Sequence, residues 1–312
     1  MYSLVFPGQG SQKIGMGREL FEAFPCAKAV FEEADDALSF NLTRLMFEGP
    51  DEELTLTKNS QPAIMTVSIA ALRVLTDEMG ADLKPVCAAG HSLGEYSALA
   101  ASGVISFWDA VRLVRNRGIF MQEAVPEGKG AMAALIGAKP DDVKKMCETL
   151  APNGEVSPAN FNCPGQVVIS GLTEFIDNAI AQAKTFGIKR AVKLNVSAPF
   201  HSQFMKPAAD KLNEEFAKIS WNEAKYDIIA NVSAKPVRNP EEIRESLYAQ
   251  TFSPVRWEES VAFMTENLGV DTFYELGAGE VLAGLIKKCK KGINIMSAGS
   301  PKSLEEVREK LC

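Results

Sequence analysis

"PVCAAGHSLGEYSALAASG", residues 85–103, opens as a short apolar run, turns at Gly90, and continues as the helix-forming "LGEYSALAA" before Gly103 closes it. A strand that runs into a helix through one tight turn is the repeating unit of layered α/β proteins. Within that turn, Gly90-His91-Ser92-Leu93-Gly94 fits the pattern G-x-S-x-G. In a nucleophile elbow the two glycines make room for a strained backbone, and the serine hydroxyl projects past the sheet edge. The N–H groups that follow open a helix and face the place where an oxyanion would form. The pattern alone also fits a small-residue turn that merely holds a serine. The strand before it and the helix after it favour a nucleophile at Ser92.

On either side the same alternation continues. "SLVFPG" (3–8) reads as a strand ending in a Pro-Gly turn, and a helix is expected over much of Arg18 to Leu38, across Pro25. "NSQPAIMTVSIAALRVLTDEMG" offers Asn59 or Ser60 as helix cap, Pro62 in the first turn and a terminal glycine. "FWDAVRLVRNRGIFMQEA" is a further helix. The middle of the chain differs. "GAMAALIG" reads as strand, "KPDDVKKMCETL" as helix and "EVSPANFNCPGQVVISG" as a hairpin. "LTEFIDNAIAQAKTFG" follows as helix and "IKRAVKLNV" as strand. The order β-α-β-β-α-β is the split unit of ferredoxin-like folds. The expected architecture is therefore a large α/β-hydrolase-like domain with a parallel sheet core, made from residues 1–126 and 198–312. It carries a small ferredoxin-like insertion, 127–197, whose joints are marked by "PEGKG" (126–130) and "SAPFHS" (197–202).

The chain has 312 residues, 46% hydrophobic and 23% charged, which is ordinary for a globular protein with a full core. Its net charge of −7 argues against general nucleic-acid binding, which needs a basic face. No run is long and apolar enough for a membrane span, and the N-terminus lacks the features of a signal peptide. Six cysteines without a C-x-x-C pair read as free thiols of a reducing cytoplasm. Two histidines and no clustered cysteines speak against zinc.

A serine nucleophile needs a base, and only His91 and His201 are available. His91 adjoins Ser92, so its side chain leaves the elbow in another direction. That singles out His201, in "SAPFHS". No Asp or Glu occupies a setting diagnostic of a triad acid.

"FPGQGSQ" (6–12), "GHSLGEYSAL" (90–99), "RNRGIFMQ" (115–122), "NFNCPGQVVISG" (160–171), "APFHS" (198–202), "QTFSPVRW" (250–257) and "ELGAG" (275–279) occur in that order. Together they resemble the malonyl-CoA:acyl carrier protein transacylases of fatty-acid synthesis, over essentially the whole chain. The resemblance implies a ping-pong transfer with no bound cofactor. Ser92 takes the malonyl group from malonyl-CoA as an ester, His201 acts as base and then acid, and the phosphopantetheine thiol of acyl carrier protein collects the product. It also implies that the main-chain carbonyl of Gln250 orients His201, and that Gln9 and Leu93 supply the oxyanion hole through their N–H groups.

Selecting malonyl over acetyl requires a fixed cation, and arginine binds a carboxylate through two parallel hydrogen bonds. Arg112, Arg115 and Arg117 share one helix, with Met121 one turn beyond Arg117, and spacing does not choose among them. The resemblance selects Arg117 and places Met121 and Phe200 against the substrate. It also marks Pro199 as a departure, since many relatives carry alanine there. Carrier proteins are acidic, so an acidic enzyme needs a local basic patch. "KKCKK" (287–291), "IKR" (188–190) and the helix of Arg117 are candidates. The competing expectations are a serine hydrolase or thioesterase acting on acyl thioesters, and a non-catalytic carrier-docking protein. A hydrolase order of Ser, Asp or Glu, then a late His fits poorly, because more than a hundred residues follow His201. A monomer is expected.

Overall fold

The computed structural model describes residues 1–312 except Glu127, Ser197 and Cys312. The insertion joints expected at 127 and 197 thus lie outside the described residues, as does the last cysteine. Ten strands are present among the described residues: β1 (Tyr2–Phe6), β2 (Cys87–Gly90), β3 (Gly130–Ile136), β4 (Val156–Cys163), β5 (Gln166–Leu172), β6 (Arg190–Lys193), β7 (Asp227–Ile229), β8 (Pro236–Val237), β9 (Thr272–Leu276) and β10 (Asn294–Ala298). They form a six-stranded sheet in the order β10-β9-β1-β2-β7-β8 and a four-stranded sheet in the order β4-β5-β3-β6. In the first, every pairing is parallel except that of β7 with β8.

Alternation along the strands explains the layering. Leu4, Phe6, Ala88, Ile228, Tyr274 and Leu276 join one buried cluster, and Val5, Cys87, Ala89, Ile229 and Phe273 join another. Both faces of the sheet are apolar, as a parallel sheet covered on both sides demands. The first face carries the helices Pro25–Leu38, Thr57–Arg73, Leu93–Ala101 and Phe107–Glu123. The second carries Trp257–Glu266 and Val281–Cys289. Ser3 pairs with Cys87 and Phe6 with Gly90, so β1 and β2 end together. The turns after them, Pro7-Gly8-Gln9 and His91-Ser92, leave the same carboxyl edge, where open α/β sheets place their ligands.

The middle segment follows the order read from the sequence. The strands β3 to β6 pair antiparallel, and the helices Pro140–Leu150 and Thr173–Gln182 fill their common core with Val143, Met146, Ile176 and Ala179. Main-chain bonds from Phe161 N–H to Val255 O (2.9 Å) and from Val255 N–H to Ala159 O (2.8 Å) fasten β4 to the larger body.

Some elements differ from expectation. The helix across Pro25 is two helices, Arg18–Ala23 and Pro25–Leu38, because Phe24 (φ −131°, ψ 120°) is driven extended by the proline that follows it. The helix expected to be capped at Asn59 or Ser60 begins at Thr57, and the Asn59 side chain donates to Glu53 O instead (2.8 Å). It ends at Arg73 and passes into a wider π turn, Val74–Glu78. The strand "IKRAVKLNV" is ordered as β-structure only over Arg190–Lys193. Among the described residues no helix is long and apolar enough to cross a membrane.

Candidate active site

Ser92 lies between β2 and the helix Leu93–Ala101 with φ 53° and ψ −104°, a backbone that side chains other than glycine's seldom adopt. Such a position costs on the order of 1–3 kcal/mol and persists only where its surroundings fix it. Backbone crowding does the fixing. A Cβ on Gly90 would overlap the Gly94 carbonyl, one on Gly94 would overlap Phe6 O, and one on Gly8 would overlap His91 O. Asn231, just past β7, closes the clamp: its Oδ1 accepts from Ser92 N–H (2.7 Å) and its Nδ2 donates to Gly90 O (2.7 Å). The Ser92 N–H is therefore committed. The N–H groups of Leu93 and Gln9 make no hydrogen bond to a described residue, and Gln9 and Ser92 line one cleft of about 510 Å³.

His201 reaches Ser92 across 109 positions of chain, with 2.7 Å between Nε2 and Ser92 Oγ. Its Nδ1 lies 2.8 Å from Gln250 O. A carbonyl only accepts, so Nδ1 carries the proton and Nε2 presents its lone pair to the serine hydroxyl. Gln250 sits in the last turn of the helix Pro240–Phe252, where carbonyls lack intrahelical donors and the helix dipole is negative. That carbonyl stands where a triad would place an acid. Burial, and next the Arg117 charge, push the His201 pKa down to about 3, so the ring is neutral at ordinary pH. His201 itself has φ 58°, in a turn held by Ser202 Oγ donating to Pro199 O (2.6 Å) and Phe200 N–H to Ala198 O (3.0 Å). Pro199 packs on Gly130, at the start of β3.

The three arginines of the helix Phe107–Glu123 separate clearly. Arg112 is exposed, and Arg115 turns to Asn59 (3.3 Å) and stacks on the Phe40 ring (4.4 Å). Arg117 is 2% exposed and points at the nucleophile. Its Nη2 donates to Ser92 Oγ (3.0 Å) and Gln250 Oε1 (3.0 Å), and its Nη1 to Gln61 Oε1 (2.8 Å). No carboxylate pairs with it among the described residues, and its guanidinium lies 5.4 Å from the Tyr96 ring centre. Gly118 explains the placement: a Cβ there would stand 2.7 Å from Thr57 O and Lys58 Cα, so this helix meets Thr57–Arg73 backbone to backbone and brings Gln61 to the guanidinium. A buried cation held only by neutral groups is fit to receive an anion.

Met121 and Phe200 both line the cleft, as do Met132, Asn160, Asn162 and Val168 from the four-stranded sheet. His91 points away from the serine and pairs through Nε2 with Asn162 Oδ1 (2.8 Å). Residues that sequence reasoning passed over are Gln61, Asn231 and Glu95, the last 2% exposed and bonded to Gln250 and Asn231. Glu95 had a signal, three positions past Ser92 in the helix's first turn. Gln61 and Asn231 had none. The basic candidates Lys287 and Lys288 are exposed at the end of the helix Val281–Cys289, and Lys189 and Arg190 are exposed at β6.

A strained serine, a neutral histidine and two N–H groups on a parallel sheet edge are the parts a serine-dependent acyl transfer calls for. The sequence pattern of the acyl transferase domain matches residues 3–300. The chain is 48% identical to malonyl CoA-acyl carrier protein transacylase of Bacillus subtilis, over 97% of this chain and 95% of that one. It is 46% identical to the protein of that name in Escherichia coli, over 99% of both. The crystal structure of an acyl-carrier-protein-S-malonyltransferase from Bartonella henselae superposes with a TM-score of 0.96 at 46% identity, covering 99% of each chain. A malonyl-transacylase solved in complex with a type II PKS acyl-carrier protein gives 0.95 at 44%, again covering 99% of each chain. The chain belongs to the malonyl CoA-acyl carrier protein transacylase family.

Proposed function

We infer that this enzyme transfers the malonyl group from malonyl-CoA to the phosphopantetheine thiol of acyl carrier protein, supplying malonyl carrier protein for fatty-acid synthesis. One observation carries the choice of acyl group: the buried Arg117 guanidinium stands 3.0 Å from Ser92 Oγ with no carboxylate of its own. The substrate's free carboxylate is the anion it lacks, and the bond to it holds the thioester carbonyl beside the hydroxyl.

Ser92 Oγ gives its proton to His201 Nε2 as it attacks the thioester carbonyl. The negative charge that forms on the substrate oxygen is met by the N–H groups of Leu93 and Gln9, fixed before the reaction starts. Collapse breaks the C–S bond, and the imidazolium returns the proton to the leaving coenzyme A sulfur. The carrier thiol then enters and gives its proton to His201 as its sulfur attacks the ester carbonyl; the C–O bond breaks, the imidazolium returns the proton to Ser92 Oγ, and the malonyl group leaves on the carrier. Thiols near pKa 8.5 leave readily, so a carbonyl rather than a carboxylate behind His201 suffices. The hydrolase alternative gains nothing from this geometry, since no acid backs the histidine. Met121 and Phe200 shape the acyl end of the cleft. The exposed Lys287 and Lys288 offer the acidic carrier a basic landing point.

In this reading the body built from 1–126 and 198–312 is an α/β-hydrolase-like domain, and 127–197 is a ferredoxin-like insertion. The strand order β4-β5-β3-β6 and its two helices on one core support the second assignment. The enzyme acts as a monomer in the cytoplasm and uses no bound cofactor. In support, one chain supplies every residue of the site, and five described cysteines are free thiols.

Mass spectrometry after exposure to malonyl-CoA tests the chemistry. The expected result is an added malonyl mass on the peptide containing Ser92, removed by carrier protein and absent in Ser92→Ala. Free malonate without a lasting ester would establish a hydrolase instead. Arg117→Ala should slow malonyl loading about a hundredfold while acetyl loading holds or rises, and equal losses would remove Arg117 from recognition.

A further inference from the structure

Glu95 is a buried acid beside the reacting serine that the acyl transfer above does not use. It stands in the first turn of the helix Leu93–Ala101. Its Oε2 accepts from Gln250 Nε2 (2.9 Å) and from Asn231 N–H (3.0 Å). Gln250 Nε2 also donates to Ser92 O (2.9 Å), and Gln250 Oε1 accepts from Arg117 Nη2 (3.0 Å). The Gln250 amide therefore lies between a carboxyl group and a guanidinium, with each end matched to its neighbour. Turned over, it would set its oxygen against Glu95 and Ser92 O, and its NH2 against a group that can only donate.

Glu95 and Arg117 lie in one buried layer, yet they form no ion pair and meet only through the Gln250 amide. A direct pair would fill the guanidinium with an internal carboxylate, in competition with any carboxylate brought by substrate. One amide between them keeps the acid near and leaves the guanidinium with neutral partners only, Ser92, Gln250 and Gln61. Burial raises the Glu95 pKa to about 7, against the pull of the Gln250 and Asn231 bonds and the Arg117 charge. In either protonation state Oε2 can still accept both bonds.

We propose that Glu95 is a positioning residue for malonyl recognition: through the Gln250 amide it fixes the Arg117 guanidinium beside Ser92 while leaving that guanidinium open to the substrate carboxylate. The proposal rests on the malonyl-transfer reading. The outward-facing consequence is specificity rather than general activity.

The test compares rates of Ser92 acylation by malonyl-CoA and by acetyl-CoA, using intact-mass spectrometry of the full chain. Glu95→Ala should lower the malonyl-to-acetyl ratio about tenfold, mostly through a higher KM for malonyl-CoA, and add less than about twofold in an Arg117→Ala background. Glu95→Gln, whose amide oxygen can accept the same two bonds, should restore the ratio. Equal loss for both acyl groups, or the same malonyl loss with and without Arg117, overturns the relay. If Glu95→Ala does not fold, Gln250→Met carries the test, because it keeps the main-chain carbonyl on His201 and deletes the amide. An unchanged ratio in that variant overturns the relay, and a tenfold fall supports it. Absence of any malonyl ester in the unaltered enzyme would overturn the transfer reading as well. A normal ester with unaltered ratios in the variants would overturn the relay alone.

Discussion

The two residues proposed to react sit in the same kind of backbone and are held there by different means. Ser92 has φ 53° and His201 has φ 58°. At Ser92 the strain is enforced by steric necessity: Gly8, Gly90 and Gly94 lie where any Cβ would strike a neighbouring main chain. At His201 it is enforced by hydrogen bonds, from Ser202 Oγ to Pro199 O and from the ring to Gln250 O. The elbow is thus rigid in the way of close packing, and the histidine turn in the way of a polar network. The first has no tolerance for added atoms, and the second can lose one bond and keep the rest.

The sharpest break of this comparison is Gly90→Ala. Its methyl must displace the Gly94 main chain, so destabilisation above about 4 kcal/mol and loss of Ser92 acylation are expected, measured by urea unfolding and ester formation. A variant that folds with a normal midpoint and loads malonyl would show that the elbow is not held by steric exclusion.

The elbow was readable for the same reason that it is brittle. Gly90, Gly94, the serine and the helix are contiguous, so residues 87–103 carry most of the device, with Gly8 and Asn231 added from elsewhere. His201 followed by elimination, since only two histidines exist. The choice among Arg112, Arg115 and Arg117 did not follow from spacing, because the close approach at Gly118 that points Arg117 inward belongs to a second helix. Of the polar layer under the serine, only Glu95 left a mark, as an acid in the helix's first turn. Asn231 and Gln61 join it because remote segments cross there, and no local pattern marks a residue whose partners lie 136 or 56 positions away. The split at Pro25 and the strands β9 and β10 escaped for a lesser reason, being short elements whose ends are set by neighbours.

Each side of the site also buries a titratable group in its neutral-leaning form, with opposite consequences. His201 has a pKa near 3 when folded against an ordinary value of 6.5. Between those values the unfolded chain binds the proton and the folded one does not, so stability falls as pH drops from about 6.5 towards 3. Glu95 has a pKa near 7 against 4.5, so its contribution is full below about 4.5 and is lost as pH rises to about 7. The shift of Glu95 corresponds to about 3 kcal/mol. Glu95→Gln should gain about that much at pH 8 relative to pH 4, compared with the unaltered protein at the same two values. Urea midpoints across that range check it, and parallel profiles for the two proteins would contradict the assignment.

The smallest effect belongs to the histidine turn. Ser202→Ala removes one buried bond, Oγ to Pro199 O, while Phe200 N–H to Ala198 O and His201 Nδ1 to Gln250 O remain. A loss of about 1 kcal/mol is expected, because the Pro199 carbonyl is left short of a donor but the ring stays anchored. Acylation by malonyl-CoA should slow by about tenfold or less, with the malonyl-to-acetyl ratio unchanged, since Arg117 is untouched. A collapse as large as that of Gly90→Ala would mean that the histidine turn is a steric device too, and that the two halves of the site are built alike.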